Sequence, residues 1–395
     1  MDINFHYYAV KAIAVRAGFD EADAQYIASY SQFVDDFDSS FVVMLTDVPE
    51  YARYLALGST WGLYWFMPVT TGFNSWFDMA QLITHSNQKW IVTPFHFIPE
   101  LPLNNPALPA NWRVAPADID VPSLITDMLV ESRTAFLTST PATRSASLMR
   151  IGMLLHIFAD TYAHQRFSGF QGWENHSYLR NVTNNIGNDD VTTLYDPDMY
   201  YTLPSVGHTN VNHAPDDSHV RFEMAQKANA GDDAYSLVYQ RSNTEVFCDA
   251  AKEILKFLLS CNGLPMISDA EWALFVDSFR QGLLTPSKNE QFLNHHWHAQ
   301  FDTITFAYNR ENMMNSMLST TGEVLEGEAR NLAEVHGIDP LVFAVKSDAY
   351  YRYNVTADEI RRRVTGEPYH ADARFDALKA DMEAQTKIND ESLGE

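Results

Sequence analysis

The chain has 395 residues, of which 46% are hydrophobic and 20% charged, and its 51 acidic and 27 basic side chains give a formal net charge of −24. This composition can fill a large folded core, which excludes a disordered chain. The negative charge repels phosphates and argues against high-affinity binding to duplex nucleic acid. The only two cysteines, Cys248 and Cys261, lie in no CxxC pattern, so a disulfide framework is excluded as well.

The amino-terminal part of the chain predicts two helices. Residues 5–17 form the first, which ends near Gly18, and Asp20 caps a second helix over 21–35. Because no basic region precedes an apolar block and a cleavage site, we expect a cytoplasmic protein or export independent of a signal peptide. The uncharged stretch 54–77 is interrupted by glycines and a proline, so no transmembrane span is expected.

The middle of the chain predicts a long helix followed by a long loop. A helix over about 121–138 comes first. The long helix then begins near Thr140 and Pro141, a natural N-cap and first helical residue, and continues to about Phe167. Residues 168–218 are rich in Gly, Asn, Asp and Pro, which predicts a long ordered loop of the kind that a bound metal can tie down.

The rest of the chain is predicted to be mostly helical. Helical periodicity is found at 219–229, 244–260, 268–283, 288–317, 321–336 and 355–364. The best candidate for a strand is the short run Trp90–Thr93. We therefore expect a mainly α protein with a metal-binding core at 1–230, completed by helices to about 285, and a helical C-terminal region of unknown role at 286–395.

Three potential metal ligands lie on the predicted long helix at positions i, i+4 and i+8. His156, Asp160 and His164 therefore share one face of that helix. Asp160 lies between the two histidines, where a carboxylate can bridge two metal ions. Histidine and aspartate together suit zinc or a similar divalent cation. A polar stripe packed against buried water is the simpler alternative.

Further residues of the same chemical type are scattered along the chain, and each alone is as well explained by an ordinary core or surface role. The candidates outside the long helix are His6, Asp35, Asp36, His96, His208, His213 and Asp216. The pair His219 and Glu223 has i, i+4 spacing, which an exposed polar helix face explains equally well. The cluster His295–His298 is predicted to be surface or pocket lining, because adjacent histidines on a helix point in different directions.

With these residues in view, the chain resembles an uncharacterised bacterial family allied to zinc-dependent phospholipase C and the single-strand nucleases of its superfamily. The matching pieces, in order, are FHYYAVKAIAVRAGF, QFVDDF, VTPFHFIPE, LLHIFADTYAHQRFSGF and GHTNVNHAPDD. The resemblance implies a multi-helix phospholipase C-like domain that holds a cluster of zinc ions in a cleft. Two or three zinc ions, or another divalent metal, would then be the cofactor.

The resemblance also implies which residues bind metal. The ligands it implies are His6, Asp36 (or Asp35), His96, His156, a bridging Asp160, His164 and His208, with Asp216 or Glu223 as a further partner. Two departures are visible. The phospholipases bind zinc through a free amino terminus, whereas five residues precede His6 here. Asn212 stands where those enzymes carry a glutamate, which leaves the partners of a third ion open.

The function implied is hydrolysis of a phosphodiester by metal-activated water, with a phospholipid or small phosphodiester as substrate. Asp35 or Asp36 would act as general base or orient the water. The aromatic residues of 61–77 could line a substrate pocket or belong to the core. The alternative is a metal-stabilised structural or effector protein that binds a partner without turnover. The sequence does not determine the oligomeric state.

Overall fold

The computed structural model describes residues 1–39, 42–58, 62–72, 84–187, 189–195, 204–367 and 376–384. The α-helices are α1 (Val10–Arg16), α2 (Glu21–Asp36), α3 (His85–Asn87), α4 (Thr93–His96), α5 (Leu124–Leu137), α6 (Arg144–Ala163), α7 (Asn243–Cys261), α8 (Asp269–Leu283), α9 (Glu290–Gln300), α10 (Arg310–Met317), α11 (Gly327–Val335) and α12 (Ala349–Thr365). Residues 376–384 are also helical. Two segments are π-helical, Asn4–Ala9 and Gln88–Val92.

The strands build two β-sheets. They are β1 (Val43–Leu45), β2 (Ala56–Gly58), β3 (Tyr64–Phe66), β4 (Ser177–Asn184), β5 (Val220–Gln226), β6 (Leu237–Ser242), β7 (Leu318–Val324) and β8 (Leu341–Val345). One sheet has five strands in the order β2-β3-β1-β8-β7, and the other has three in the order β4-β5-β6. Short 3₁₀ turns are found at Glu50–Leu55, Trp173–Asn175, Thr192–Tyr195 and Thr209–Val211.

The chain divides into two compact units, and neither is a single stretch of sequence. The first unit comprises residues 1–36, 71–308 and 363–366, and the second comprises 37–70, 309–362 and 367–395. The division near residue 285 that the sequence predicts does not follow these bounds and stays a prediction. All of the candidate metal ligands lie in the first unit.

The first unit is organised around helix α6, which packs against α2, α5 and α7. Gly152 permits the contact with α2, because a Cβ at this position would lie 2.4 Å from the carbonyl oxygen of Ile27. The helix is buried without interruption from 151 to 163. Its polar residues therefore lie inside the protein, where an unsatisfied polar group is costly.

The three-stranded sheet of the first unit is antiparallel throughout. Phe222 of β5 pairs with Val182 of β4 on one side and with Arg241 of β6 on the other. The apolar residues Val220, Phe222 and Met224 are buried at alternate positions. This two-residue period is typical of a strand that has one face against the core.

The second unit contains the five-stranded mixed sheet. Strands β1 and β8 are parallel, and the other neighbouring pairs are antiparallel. Met44, Trp65 and Val342 from three of these strands form a core with Leu332 and Ala333 of helix α11. A parallel pair between residues so distant in sequence forms only when the whole chain has folded around it.

The uncharged stretch 54–77 supplies strands β2 and β3 where it is described. Trp65 and Phe66 are fully buried, so these two aromatic residues belong to the core of the second unit. The other aromatic candidates lie outside the described residues, apart from the half-buried Tyr64: they are Trp61, Phe73, Trp76 and Phe77. In the part of the chain that the structure describes, no helix has both the length and the apolar character needed to cross a membrane.

The prediction of a mainly α, multi-helix phospholipase C-like domain with a helical C-terminal region is wrong, because the fold mixes helices with two sheets. The predicted helix 219–229 is strand β5, and the predicted loop 168–218 contains β4. The predicted helix 321–336 is divided between strand β7 and helix α11. The strand candidate Trp90–Thr93 lies in a π-helix and the start of α4.

These errors share a physical cause. The strands are short, and several of their residues are polar, so local periodicity separates them poorly from helices. Helices with a broad apolar face were predicted well. The predictions 21–35, 121–138, 244–260 and 268–283 are confirmed by α2, α5, α7 and α8.

Candidate metal centre

Helix α6 places three candidate ligands in the interior. His156, Asp160 and His164 are all at least 96% buried, with exposed fractions of 0%, 1% and 4%. Asp160 Oδ2 lies 3.4 Å from His156 Nε2 and 3.7 Å from His164 Nδ1. The carboxylate therefore lies between the two imidazoles, as the i, i+4, i+8 spacing predicts.

The two oxygens of Asp160 face different sets of nitrogen atoms. Oδ1 lies 2.5 Å from the Met1 amino group and 3.2 Å from His6 Nε2. Oδ2 lies 3.3 Å from His96 Nδ1 and 3.4 Å from His156 Nε2. A carboxylate with a separate donor set at each oxygen has the arrangement required of a bridging ligand.

Asp216 is the second carboxylate around which imidazoles converge. Its Oδ1 lies 2.9 Å from His164 Nε2, and its Oδ2 lies 3.1 Å from His208 Nε2. The Met1 amino group lies 3.3 Å from Asp216 Oδ1, so this one amino group contacts both Asp160 and Asp216. Three sets of residues offer ligand atoms within 4.8 Å of one another: His6 with His156 and Asp160, Asp35 with His96 and His156, and His164 with His208 and Asp216.

Irregular helical turns supply two of the histidines. His6 lies in the π-helix Asn4–Ala9, and His96 closes α4 directly after the π-helix Gln88–Val92. A π-turn accommodates one more residue than an α-turn and so redirects the side chains that follow. Such turns occur frequently at functional sites.

Backbone carbonyl groups hold three of the imidazoles in place. His96 Nε2 donates to Thr71 O at 2.8 Å, and His208 Nδ1 donates to Asn212 O at 2.7 Å. His164 Nδ1 donates to the carbonyl oxygen of His96. In each ring the other nitrogen faces a carboxylate of the centre. This is the outer-shell arrangement that orients metal-binding histidines and fixes their tautomer.

Gly72 brings the chain close enough for one of these anchors. A Cβ at residue 72 would lie 1.9 Å from the carbonyl oxygen of Asp35, so only glycine fits against this end of α2. The adjacent Thr71 carbonyl then reaches His96. The side chain of Asp35 lies 3.6 Å from His156 Nε2 and 3.8 Å from His96 Nδ1.

Burial and neighbouring charges set the protonation states of the centre. Burial, together with His156 and the Met1 amino group, lowers the pKa of His6 to about 3. Burial opposes the charge of Asp160, but His164 and the Met1 amino group hold the pKa of this carboxyl well below its usual value. Ionised carboxylates and a neutral imidazole are the forms in which these side chains bind metal.

In the part of the chain that the structure describes, several buried imidazole nitrogens of the centre lack the hydrogen bonds that buried polar atoms normally make, and a metal would satisfy them. Among the described residues, neither ring nitrogen of His6 makes a hydrogen bond of normal geometry, and neither does His156 Nδ1. His156 Nε2 and His96 Nδ1 face each other at 3.4 Å. Buried polar atoms are almost always hydrogen-bonded, so this concentration of unsatisfied nitrogens needs an explanation. A bound cation would supply one, because imidazole and carboxylate groups are common ligands of divalent metals.

The remaining candidates are placed outside the three sets. Asp36 accepts a hydrogen bond from the Tyr308 hydroxyl at 2.6 Å, and Asp35 takes the position closer to the histidines. Glu223 lies on strand β5 and pairs with Arg180, so Asp216 is the carboxylate beside His164 and His208.

His213 and the histidines of α9 also lie outside the three sets of candidate ligands. His213 is 64% exposed and lies 3.7 Å from Asp216. His296 contacts carbonyl oxygens at the end of α8, and His298 contacts the carbonyl oxygen of Ile304. None of His295, His296 and His298 belongs to the three sets found among the described residues.

A cavity of about 510 Å³ opens beside the centre. Its lining combines most of the candidate ligands with Asp36, the apolar side chains of Val92, Phe97 and Val206, and the ammonium group of Lys288. A cavity of this size accommodates a small ligand. Asp35 and Asp36 border the same cavity as His164 and Asp216, so a small ligand in it would contact the centre.

Sequence reasoning missed the groups that hold the ligands in place. The Met1 amino group, the Thr71 carbonyl, Gly72 and Arg241 carry no local pattern that indicates metal. Gly207 did carry a signal, as a glycine directly before His208 in the predicted loop. Its φ is +55°, and a Cβ there would lie 2.3 Å from the ring of Phe97.

The model of one protein family matches nearly the whole chain. Residues 1–367 match a family of unknown function, DUF6765. The chain belongs to this family. No curated protein and no solved structure matches the chain.

Proposed function

We propose that this member of the DUF6765 family is a metal-dependent hydrolase of phosphodiester bonds, with zinc as the metal. The observation that carries the proposal is the convergence of three His/Asp sets on Asp160 and Asp216 beside one cavity. Imidazole and carboxylate ligands select zinc or a similar borderline cation.

Phosphodiester hydrolysis is the reaction class that such a centre serves best. Bound divalent ions supply a water of lowered pKa and neutralise charge on a phosphoryl group. Without added positive charge, the carboxylates that line the cavity would repel an anionic substrate. The resemblance to zinc-dependent phospholipase C favours the same reaction class.

The chain's own residues would perform the remaining tasks. His96, His164 and His208 are anchored to backbone carbonyls, so the centre is preorganised and needs little rearrangement during the reaction. Asp35 is 33% exposed and lines the cavity, where it can orient an attacking water or accept its proton. Asp36 lies beside it on the same cavity wall.

We infer a phospholipid or another small phosphodiester as the substrate. The apolar wall formed by Val92, Phe97 and Val206 suits a substrate that has an apolar part next to its phosphate. The net charge of −24 disfavours duplex nucleic acid.

The test combines metal analysis with hydrolysis. The purified protein, dialysed against metal-free buffer, should contain about two or three zinc equivalents by plasma mass spectrometry. It should hydrolyse bis(p-nitrophenyl) phosphate or phosphatidylcholine vesicles, lose this activity with EDTA and regain it with Zn²⁺. Bound zinc without hydrolysis would support the non-catalytic alternative. A protein that binds no zinc even after reconstitution would refute the proposal.

A further inference from the structure

Arg241, on strand β6, connects the two segments that carry His164 and Asp216. Its side chain is buried, and Nη1 donates to Ala163 O at 2.7 Å, while Nη2 donates to Pro215 O at 2.7 Å. Each of these carbonyls belongs to the residue directly before a candidate ligand. The planar fork of the guanidinium thus fixes the separation of the two peptide groups from which His164 and Asp216 extend.

Asn243, the first residue of α7, completes the connection. Its Oδ1 accepts a hydrogen bond from Arg241 Nε at 2.7 Å. Its Nδ2 donates to Ala214 O at 2.6 Å and to Asp217 O at 2.8 Å. Together, the two side chains hold the main chain on both sides of Asp216.

Arg241 carries a buried positive charge that no carboxylate of the described residues pairs with. Within the described ranges its hydrogen-bond partners are three backbone carbonyls and one amide, and no carboxylate forms an ion pair with it. Burial lowers its pKa to about 10, so the group stays charged at neutral pH. A buried cation is usually paired with an anion. Here the positive charge lies at the C-terminal, negative end of helix α6 and near Asp216.

We propose that Arg241, supported by Asn243, is a positioning residue that determines how tightly His164, His208 and Asp216 bind their metal ion. The inference rests on the metal centre of the proposed function but not on hydrolysis. The backbone carbonyls that accept hydrogen bonds from Arg241 do not adjoin any residue of the sets around His6 and Asp35.

Arg113 provides a matched control. Its Nη2 also ties two backbone segments together, donating to Glu174 O at 3.2 Å and to Lys227 O at 3.0 Å. Neither carbonyl adjoins a candidate ligand. A lysine at position 241 keeps the positive charge, but a single Nζ cannot replace the contacts that Nε, Nη1 and Nη2 make to separate groups.

The experiment is a zinc titration of the full chain in competition with a chromophoric chelator, resolved equivalent by equivalent. In Arg241→Lys, one equivalent should weaken by about 10–100-fold, the range found for outer-shell partners of metal ligands, while the others stay within about twofold. Arg113→Lys should leave every equivalent unchanged. No weakening in Arg241→Lys, or equal weakening of all equivalents, would overturn the proposal.

A second variant covers the case in which Arg241→Lys does not fold. Asn243→Ala keeps the guanidinium and removes the two hydrogen bonds to the loop around Asp216. The same single equivalent should weaken, and an unchanged titration would count against the proposal. Since the readout is zinc affinity, a protein that binds zinc but hydrolyses nothing leaves this test intact. A protein without zinc sites overturns both proposals.

Discussion

Two buried carboxylates, one in each compact unit, are stabilised in different ways. Asp358 on α12 of the second unit is 0% exposed, and its oxygens pair with Arg361 Nε at 2.8 Å and Arg362 Nη2 at 2.7 Å. Asp160 in the first unit is 1% exposed, and its oxygens face four imidazoles and one amino group. A guanidinium is always charged, whereas an imidazole can be neutral and then offers a lone pair.

The difference distinguishes a structural ion pair from a binding site. The charge of Asp358 is balanced by the permanent positive charges of Arg361 and Arg362, so no further cation is needed to neutralise it. The carboxylate of Asp160 is instead surrounded by imidazole nitrogens, and those of His6 and His156 lie close enough to it to hold one metal ion together with it. Burial of a carboxylate alone therefore indicates nothing about function, and the chemistry of its neighbours does.

The largest effect is expected for Asp160→Asn. The amide keeps the shape of the side chain but removes its charge and one oxygen. His6 beside Oδ1 and the imidazoles of His96 and His156 beside Oδ2 then lose the carboxylate that lies between them. The variant should lose more than one zinc equivalent by plasma mass spectrometry. Loss of one equivalent or none would contradict a bridging role.

The corresponding change in the second unit, Asp358→Asn, should act on stability alone. The amide removes the negative charge that Arg361 and Arg362 contact. Breaking a fully buried pair costs about 3–5 kcal/mol, and we expect about 2–3 kcal/mol here because Arg362 is 38% exposed. Urea unfolding should show this loss with zinc content unchanged. A drop in zinc content would show that the comparison between the two carboxylates is wrong.

A smaller effect is expected for Gly72→Ala, which tests the anchoring of His96. The new Cβ would collide with the carbonyl oxygen of Asp35 and displace the Thr71 carbonyl. We expect a loss of about 1–3 kcal/mol in unfolding free energy and weaker binding of zinc. Gly58→Ala is the control, because a Cβ there meets no atom of the described residues within 4 Å, and its effect should stay within about 0.5 kcal/mol. Equal behaviour of the two variants would argue against the close approach at Gly72.

The smallest effect is expected for His298→Ala. This histidine is exposed, and its Nδ1 lies 3.0 Å from the carbonyl oxygen of Ile304. Zinc content should therefore match that of the unchanged protein. A clear decrease would mean that the histidines of α9 take part in metal binding.

The sequence by itself determined the parts of this protein that depend on local spacing. The long helices follow from apolar periodicity, and the shared face of His156, Asp160 and His164 follows from helical geometry. His6, His96, His208 and Asp216 could be selected by residue type and by their turn-forming neighbours. These predictions need no knowledge of where distant segments lie.

Tertiary structure decided the rest, because those features depend on contacts between distant residues. The pairing of β1 with β8 joins Met44 and Val342, and no local pattern specifies it. The choice of Asp35 over Asp36 beside His156 depends on how α2 packs against α6. The anchors, including Gly72 and Arg241, act through backbone carbonyls of other segments. A backbone carbonyl is present at every residue, so only its position in the folded chain makes it specific.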